Sequence, residues 1–538
     1  MKPTAKPTVS QSRASKPTRG GGADLPSLRA AGAAAGLAGA AAALTLDAVL
    51  HTFWTSVPFT PVSVAQAVIR LAPGWLDALF IDRLQHAARP SAIIACGVGF
   101  VILAVVLGLL LPRLRGRLGG QIEPAAAVLA LPPYAIALAA YAHEMGAVSL
   151  PVYALALVPV LALAALVSAR VYRTLTDPAR GASPDALRRA VVNGVWIGGV
   201  GFLAGWASLG RFVFRRPNPG RLRLHLGEVS PASTPSQGDA AFSRIAGLSP
   251  EITSNDRFYV VNEELVYPDI DPDTWSLEIR GLVDRPFRLS YRELTRMPAV
   301  EQFQTLECIS NKVGGHLISN AKWTGIPMSD LLNRAGVQRG AVEVVSSSVD
   351  GFADSIPLAT AMRRTTLVAV GMNDHVLPRE HGYPARLLVP GYYGMKMPKW
   401  LGAIEVVDTP FEGFWEQRGW IKEAVVKTMS RVDTPHTGQD VPAMVTVAGV
   451  AFAGDRGISR VEVSTDGGHR WSPALLEPPL SPFTWRRWRF RFAAPNGARD
   501  VQVLVRAVDG TGAVQTGKVA PPEYSGSSGY HEVSIVEG

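Results

Sequence analysis

The chain divides near Phe214 by the distribution of its apolar positions. Before Phe214 it is rich in Ala, Leu, Val and Gly, and after it the composition is mixed, as in a soluble protein. Apolar stretches long enough to cross a bilayer as helices, which takes about 20 residues each, occur five times before Phe214. They are residues 30–53, 91–111, 124–142, 150–169 and 190–209. One such stretch could be a buried soluble helix, but five in succession predict an α-helical membrane domain.

Basic residues are distributed unevenly around these stretches. The segment before the first stretch and the loops after the second and fourth are rich in Lys and Arg, whereas the loop around His143 and Glu144 has neither. Because cytoplasmic loops carry the excess of Lys and Arg, the pattern predicts a multi-pass protein of the cell membrane. Its N-terminus is cytoplasmic, and everything after the fifth stretch is periplasmic or extracellular. Part of the net charge of +9 is therefore an orientation signal, and no basic–aromatic pattern suited to nucleic acid is present.

Two segments of this half leave alternatives open. Residues 62–88 interleave apolar and charged positions, which fits helices on the outer membrane surface and fits an exposed loop equally well. Arg188 and Arg189, just before the fifth stretch, resemble a twin-arginine export signal. Two arginines before a span are also ordinary orientation charges.

Polar residues within the membrane half are few. Asp47, late in the first stretch, is the one candidate for a buried charge, although it could also reach the membrane interface. The histidines are not paired at two depths of facing helices, so the sequence predicts no diheme relay. They are His51, His86 and His143.

The second half begins with a linker rich in Arg, Pro, Ser and Gly and continues as two folded domains. Short β-like runs alternate with Gly, Pro and Asp turns up to about Thr434, with helices predicted at 291–297 and 328–335. After Thr434, alternating strands with hairpin signals predict an antiparallel Ig-like sandwich. The predicted organisation is a basic tail at 1–29, a membrane domain at 30–210, a linker at 211–249, an α+β domain at 250–434 and the sandwich at 435–538.

Cys308 is the most informative single residue of this half. The chain has two cysteines, and the other, Cys96, lies in an apolar stretch. Cys308 lies near the end of a strand-like run, 303–309, and precedes Asn and two Gly, so we expect it where a strand turns into a loop. Such a thiol can be a nucleophile, a soft metal ligand or an inert buried side chain, and the cysteine alone favours the last of these.

A second group of chemically active residues lies in the run 381–402. It contains one His, one Arg and two Lys on a segment rich in Gly and Pro. Backbone amides at 391–395, with Arg386 and Lys399 nearby, form a possible cradle for a phosphate. Basic loops are usually just solvated, so this run alone does not identify a site.

Taken together, these runs resemble the sulfite oxidase family of molybdopterin-dependent oxidoreductases over residues 250–538. The matched pieces are 305–308, 323–325, 355–358, 381–402, Trp415 with Arg418, and 464–468. The resemblance implies a sulfite-oxidase-type α+β domain and a dimerisation-type sandwich. It also implies that Cys308 is the protein ligand of molybdenum in a molybdenum–molybdopterin cofactor, which suits a soft thiolate. The residues implied for the pterin and its phosphate are Asn262, His381, Arg386, Met397, Pro398 and Lys399.

The sequence departs from the family pattern where sulfite oxidases bind their anion. Val261 and Glu532 stand where the family has arginines, and Trp420 aligns with an active-site Tyr. Trp420 and Lys312 are candidates for lining the substrate pocket. Because the lost positive charge undermines binding of a small dianion, we expect the cofactor to be retained and sulfite not to be the substrate.

The sequence therefore predicts a membrane-anchored molybdopterin oxidoreductase that transfers an oxygen atom or two electrons. Its substrate, a small molecule or a protein, is not identified, and electrons pass through a separate carrier or the quinone pool. The rival hypothesis is a cofactor-free scaffolding protein with the same fold, which would not need Cys308, His381, Arg386 and Lys399. A transporter is disfavoured, since broken helices and paired intramembrane charges are not evident.

Overall fold

The computed structural model describes residues 25–54, 57–71, 88–142, 150–177, 219, 224, 226–231, 240–262, 267–494 and 501–537. Contacts divide the chain into two compact units. The first comprises Met1–Pro61, Ala95–Ala142 and Gly146–Gly210, and the second comprises Val62–Ile94, His143–Met145 and Arg211–Gly538. The predicted fifth span, 190–209, lies outside the described residues, as do Arg188 and Arg189.

The described residues up to Thr176 form long apolar helices and two shorter ones. They are α1 (Leu25–Phe53), α2 (Thr60–Leu71), α3 (Ala88–Gly108), α4 (Leu111–Arg117), α5 (Ile122–Ala142) and α6 (Leu150–Thr176). Helices α1, α3, α5 and α6 are long and apolar enough to cross a membrane. This confirms four of the five predicted stretches as candidate spans. Of residues 62–88, the described part up to Leu71 is helical.

Glycines allow α1 to pack closely against its neighbours. A methyl group at Gly36 would overlap the carbonyl of Ala104 on α3, and one at Gly39 would overlap the side chain of Ser168 on α6. Small residues at helix contacts are typical of membrane bundles, where close backbone packing replaces the hydrophobic effect between helices.

The next part of the chain contains two mixed sheets around one hydrophobic core. Strand Val229–Ser230 (β1) lies within the predicted linker and pairs parallel with β4. The sheet orders are β1-β4-β5-β8-β10, with β9 on β8, and β3-β2-β11-β6-β7. The other strands are β2 (Ser276–Gly281), β3 (Phe287–Ser290), β4 (Ala299–Glu307), β5 (Ile318–Pro327), β6 (Glu343–Ser348), β7 (Ala353–Pro357), β8 (Leu367–Met372), β9 (His375–Val376), β10 (Arg386–Leu388) and β11 (Leu401–Val407).

Short helices connect these strands. They are α7 (Ala240–Ser243), α8 (Tyr291–Leu294), α9 (Met328–Ala335) and α10 (Leu358–Ala361). Helix α8 begins with a capping box, in which Ser290 and Glu293 each bond the other's backbone N–H. Helix α9 has the predicted bounds 328–335, and α8 ends three residues earlier than predicted.

Two sheets at the end of the chain share a second core. Their orders are β12-β14-β18-β17 and β13-β20-β19-β15-β16. Valines from both sheets, such as Val447 and Val503, are fully buried in this core. The strands are β12 (Met429–Thr434), β13 (Asp440–Val441), β14 (Met444–Phe452), β15 (Ile458–Ser464), β16 (Ser472–Pro473), β17 (Leu475–Leu476), β18 (Arg486–Ala493), β19 (Val501–Asp509) and β20 (His531–Glu537).

Candidate functional site

Cys308 lies immediately after strand β4, as the sequence predicts. Its backbone N–H donates to Leu317 O (2.9 Å). The Cys308 side chain is partly exposed, whereas its neighbours Glu307 and Ile309 are buried. Although part of the residue is exposed, the protein atoms packed around the sulfur withdraw it from water and raise the pKa of the Cys308 thiol to about 11. A thiolate at this position is therefore stable only beside a cation, such as a metal ion.

Asn311 holds the two ends of the loop that follows Cys308. Its N–H donates to Cys308 O (2.9 Å), and its side-chain oxygen accepts from Leu317 N–H (3.0 Å). Its side-chain nitrogen donates to Glu307 Oε1 (2.9 Å). Burial raises the pKa of Glu307 to about 7. The position of the thiol is thus set by a short network rather than by the strand alone.

Side chains from the C-terminal sheets support the same loop from the other side. Buried Arg431 on β12 donates to Gly315 O (2.6 Å). The His531 ring lies against Gly314, where a methyl group would overlap it, and its Nδ1 accepts from Val432 N–H (3.0 Å). Burial lowers the pKa of His531 to about 4, so the ring is neutral. The sequence analysis did not identify Arg431 or His531, since neither lies in the matched runs.

His381 and Arg386 are buried next to each other. His381 Nε2 hydrogen-bonds Asn255 O (2.8 Å), so this nitrogen carries the proton and donates it. Burial lowers the pKa of His381 to about 3 and keeps the ring neutral. Arg386 donates to His381 O (3.2 Å) and Met397 O (3.4 Å), and its Nε has no partner among the described residues.

Lys399 joins the predicted pterin run to the segment that carries Asn262. Its Nζ donates to Val261 O (3.0 Å) and Glu380 O (3.1 Å). Both polar atoms of the Asn262 side chain are buried and have no partner within the described ranges. Because a buried amide without partners costs about 1–3 kcal/mol per unsatisfied group, these atoms point to a bound molecule that satisfies them.

Two other predicted pterin residues and part of the predicted cradle have mainly structural contacts. The Met397 side chain is buried in the core, and Pro398 O accepts from Leu387 N–H (2.9 Å). The amides of Tyr392 and Tyr393 donate to protein carbonyls, those of Val389 and Ala424. These two amides therefore do not form the anion cradle expected at 391–395.

Tyr259 is a site residue that the sequence analysis missed. Its hydroxyl lies against Gly394, since a Cβ atom added to this glycine would be 3.1 Å from the hydroxyl oxygen. Burial, followed by electrostatic interaction with Cys308, raises the pKa of Tyr259 well above its ordinary value, while Arg386 opposes this rise. Tyr259 is thus within electrostatic range of both the Cys308 thiol and the buried Arg386 guanidinium. In the sequence, the only signal for Tyr259 was its position three residues before Asn262.

The two predicted pocket residues differ in their surroundings. Trp420 is 5% exposed, packs in one apolar cluster with Ile309 and Met395, and has a buried Nε1 without a partner in the described part of the chain. Its ring is 5.7 Å from that of Trp415. Lys312 is exposed on the loop after Cys308. Trp420 therefore packs in the apolar cluster that contains Ile309, the residue after Cys308, and Lys312 lies at the surface.

Lys396 is a buried cation of the same region. It forms ion pairs with Asp354 (2.7 Å) and Glu416, and its side chain is 2% exposed. Burial raises the pKa of Asp354 to about 7 despite the pull of Lys396. The charge of Lys396 is thus balanced within the protein.

Two family descriptions match the second unit. "Oxidoreductase molybdopterin binding domain" matches residues 264–415, and "Mo-co oxidoreductase dimerisation domain" matches residues 421–524. Sulfite oxidase of Gallus gallus is 30% identical over 323 residues, which cover 50% of this chain and 69% of that protein. The chain belongs to the sulfite oxidase family. This family assignment confirms the resemblance drawn from the sequence.

Mitochondrial sulfite oxidase of Homo sapiens is 32% identical to this sulfite oxidase family member over 320 residues. The match covers 50% of this chain and 58% of the human protein. Among solved structures, the sulfane dehydrogenase SoxCD of Paracoccus pantotrophus matches with 24% identity and a TM-score of 0.47. That match covers 53% of this chain and 82% of the other chain.

The family is one of oxidoreductases, and its cofactor is molybdenum–molybdopterin. The residues present here fit this group. Cys308 offers a partly exposed soft donor, while Asn262 and Arg386 have buried polar atoms that lack partners among the described residues. In the same part of the chain, no group of three or more His, Cys, Asp or Glu side chains could hold a metal ion.

Proposed function

We propose that this chain is a membrane-anchored molybdopterin oxidoreductase that acts outside the cytoplasm on a substrate other than sulfite. The cofactor supplies the oxygen-atom or two-electron chemistry when bound. Cys308 holds the metal, and Asn262, His381, Arg386 and Lys399 hold the pterin and its phosphate. The unpartnered polar atoms of Asn262 are the observation that carries the cofactor assignment.

The residues around the site determine how the group is oriented. Arg386 can bind a phosphate with two parallel hydrogen bonds, whereas Lys399 provides a point charge. Neutral His381 donates from Nε2 to a backbone carbonyl, which leaves Nδ1 as an acceptor. Trp420, which packs with Ile309 and Trp415, is our candidate for lining the apolar side of the substrate pocket.

The charges near the site argue against a small dianionic substrate. Arg418 donates to Phe414 O (2.9 Å) and Arg70 O (2.7 Å) and stacks on the Phe414 ring at 3.6 Å. Lys396 is paired with two carboxylates. Because both cations are committed to internal partners, and Val261 and Trp420 replace polar family residues, we propose an uncharged or weakly charged substrate. Lys312, at the surface, is our candidate for lining the mouth of the substrate pocket.

One contact supports the proposed membrane topology. Arg70, near the end of α2, donates to Asp350 O (3.3 Å) and accepts from Arg418. This contact supports our proposal that the segment after the first span and the catalytic domain share one side of the membrane. Three candidate spans lie between Arg70 and Arg418 in the described residues. A chain that returns to the same side of the membrane must cross it an even number of times. Three crossings after Arg70 therefore support one more, the predicted fifth span at 190–209.

The remaining organisation follows the sequence prediction. We propose domain bounds of 30–210 for the membrane domain, 250–434 for the catalytic domain and 435–538 for an Ig-like sandwich. The two sheets that share the second core support the sandwich. The electron partner is a separate carrier or the quinone pool.

The experiment is metal and turnover analysis of the purified full chain. We expect molybdenum and pterin in amounts stoichiometric with the protein, together with negligible sulfite oxidation with ferricyanide as acceptor. Protein that folds and lacks both molybdenum and pterin after expression in a cofactor-producing host would support the scaffolding alternative. Saturable sulfite turnover by the loaded protein would refute the proposed substrate class.

A further inference from the structure

A cavity lies among the long helices of the first unit. Its cavity volume is about 120 Å³, which is close to the ~150 Å³ of an apolar cavity that binds benzene. Its walls are mostly Ala, Leu and Gly, and include Ala43, Leu107, Ala130 and Leu161. An apolar cavity of this kind suits a molecule that partitions into lipid.

The cavity has one polar end, formed by Asp47 and Thr60. Asp47 is 2% exposed, and its Oδ2 accepts from Thr60 N–H (2.9 Å). Its Oδ1 is buried and has no hydrogen-bond partner among the described residues. Thr60 Oγ1 lies 3.3 Å from the hydroxyl of Tyr153, which is fully buried. A carboxyl oxygen without a partner in a membrane domain is a functional-site indicator.

The chemistry of this end restricts the ligand. Fatty acids and anionic lipid headgroups are disfavoured, because they would place a second negative group beside Asp47. A hard cation such as calcium requires about six or more oxygen ligands, whereas the polar end offers the carboxyl group of Asp47 and the hydroxyls of Thr60 and Tyr153. A neutral molecule with a hydroxyl donor on an apolar body satisfies both Asp47 Oδ1 and the apolar walls.

We infer that this cavity binds a lipid-soluble quinol, with one ring hydroxyl donating to Asp47 Oδ1 and the ring and tail against the apolar walls. Within the proposed function, the bound quinol is the electron partner. Binding at this site, however, does not depend on molybdenum. A failure of the quinol site can therefore be distinguished from a failure of the molybdopterin assignment.

The test measures the retention of a decyl-benzoquinol by full-length protein in quinone-free lipid nanodiscs, relative to empty nanodiscs. We expect saturable excess binding to wild type. In Asp47→Asn, the amide oxygen can still accept from Thr60 N–H. The amide nitrogen then replaces Oδ1 and faces the ligand as a hydrogen-bond donor. Quinol binding should fall about tenfold or more, while binding of the oxidised quinone, whose carbonyl accepts, should be maintained.

A second pair of variants tests the cavity itself. Ala130→Leu fills it, and Ala127→Leu adds the same side chain at an exposed position of the same helix. Quinol binding should be lost in the first variant and unchanged in the second. Absence of saturable binding, equal binding by all variants, or displacement by an equal amount of oleate would overturn the inference.

Discussion

At the residue scale, the two cysteines differ because of what surrounds each thiol. Cys96 lies in a candidate membrane span, whereas Cys308 lies at a strand-to-loop turn with its side chain partly exposed. Tyr259 and Lys399 interact electrostatically with Cys308. This environment, not the presence of a thiol, is why we propose Cys308 as the metal ligand.

Replacing Cys308 with Ser should remove the metal while leaving the fold largely intact. A hard hydroxyl is a poor substitute for a soft thiolate. We expect molybdenum content and the metal's visible absorption to be lost in Cys308→Ser and kept in the matched control Cys96→Ser. Wild-type metal content and spectrum in the Cys308 variant would show that another residue is the ligand.

His531 should make the stability of the second unit dependent on pH. Its pKa is about 4 in the folded chain, below the ordinary value of 6.5. Between these values the unfolded chain binds a proton that the folded chain does not, so stability falls as pH falls. The lost stability reaches about 3 kcal/mol at most.

In His531→Asn, the side-chain oxygen can accept from Val432 N–H in place of Nδ1. The urea midpoint of this unit, followed by tryptophan fluorescence, should therefore change less between pH 6.5 and 4 than in wild type. His469→Asn, at an exposed position, is the control and should follow wild type. Identical pH slopes for all three proteins would exclude this role of His531.

At the element scale, the loop between β4 and β5 depends on the C-terminal sheets. Arg431 and His531 contact Gly315 and Gly314, which follow the thiol by six or seven positions. The loop after Cys308 is thus held by contacts from β12 and β20. We therefore predict that a change on either strand affects metal binding without touching the proposed site.

Gly314→Ala should reduce molybdenum content. Gly314 has φ +74°, and an added methyl group would overlap the His531 ring. Gly340→Ala is a matched control, since Gly340 has φ +90° with open space around it. The positive φ alone costs about 1–2 kcal/mol in either variant. Only the Gly314 variant should lose metal, as measured on purified protein, and equal loss in both would rule out the contact as the cause.

At the scale of the whole molecule, the cofactor and the membrane domain impose different demands on export. Molybdopterin is inserted in the cytoplasm, so a domain that works outside must cross the membrane already folded. Arg188 and Arg189, immediately before the predicted fifth span, are placed to direct that step to a route for folded proteins.

Replacing Arg188 and Arg189 with Lys keeps the orientation charge unchanged. We predict that four spans still insert while the loaded domain stays in the cytoplasm. The location of the domain is measured with fused reporter proteins that are active only in the cytoplasm. In wild type, a fusion after Gly538 should be silent and one after Arg117 active, and the Lys pair should activate the Gly538 fusion. A Gly538 fusion that stays silent in the Lys variant would show that Arg188 and Arg189 act only as orientation charges.

The sequence by itself determined the features that depend on local pattern. The length of the apolar stretches predicted four helices that the structure describes, and strand and turn signals placed Cys308 where β4 ends and helix α9 at 328–335. The cofactor followed from matched runs along the chain. These features could be predicted because each depends on residues that are close together in sequence.

The tertiary structure decided which distant residues meet. It brought Tyr259 to Cys308, Arg431 to Gly315 and Arg70 to Arg418, and it paired Lys396 with Asp354 and Glu416. It also left Asp47 Oδ1 without a partner at the end of a cavity. These contacts join residues up to 348 positions apart. The path of the chain through its sheets and helices, rather than any local pattern, brings such residues together.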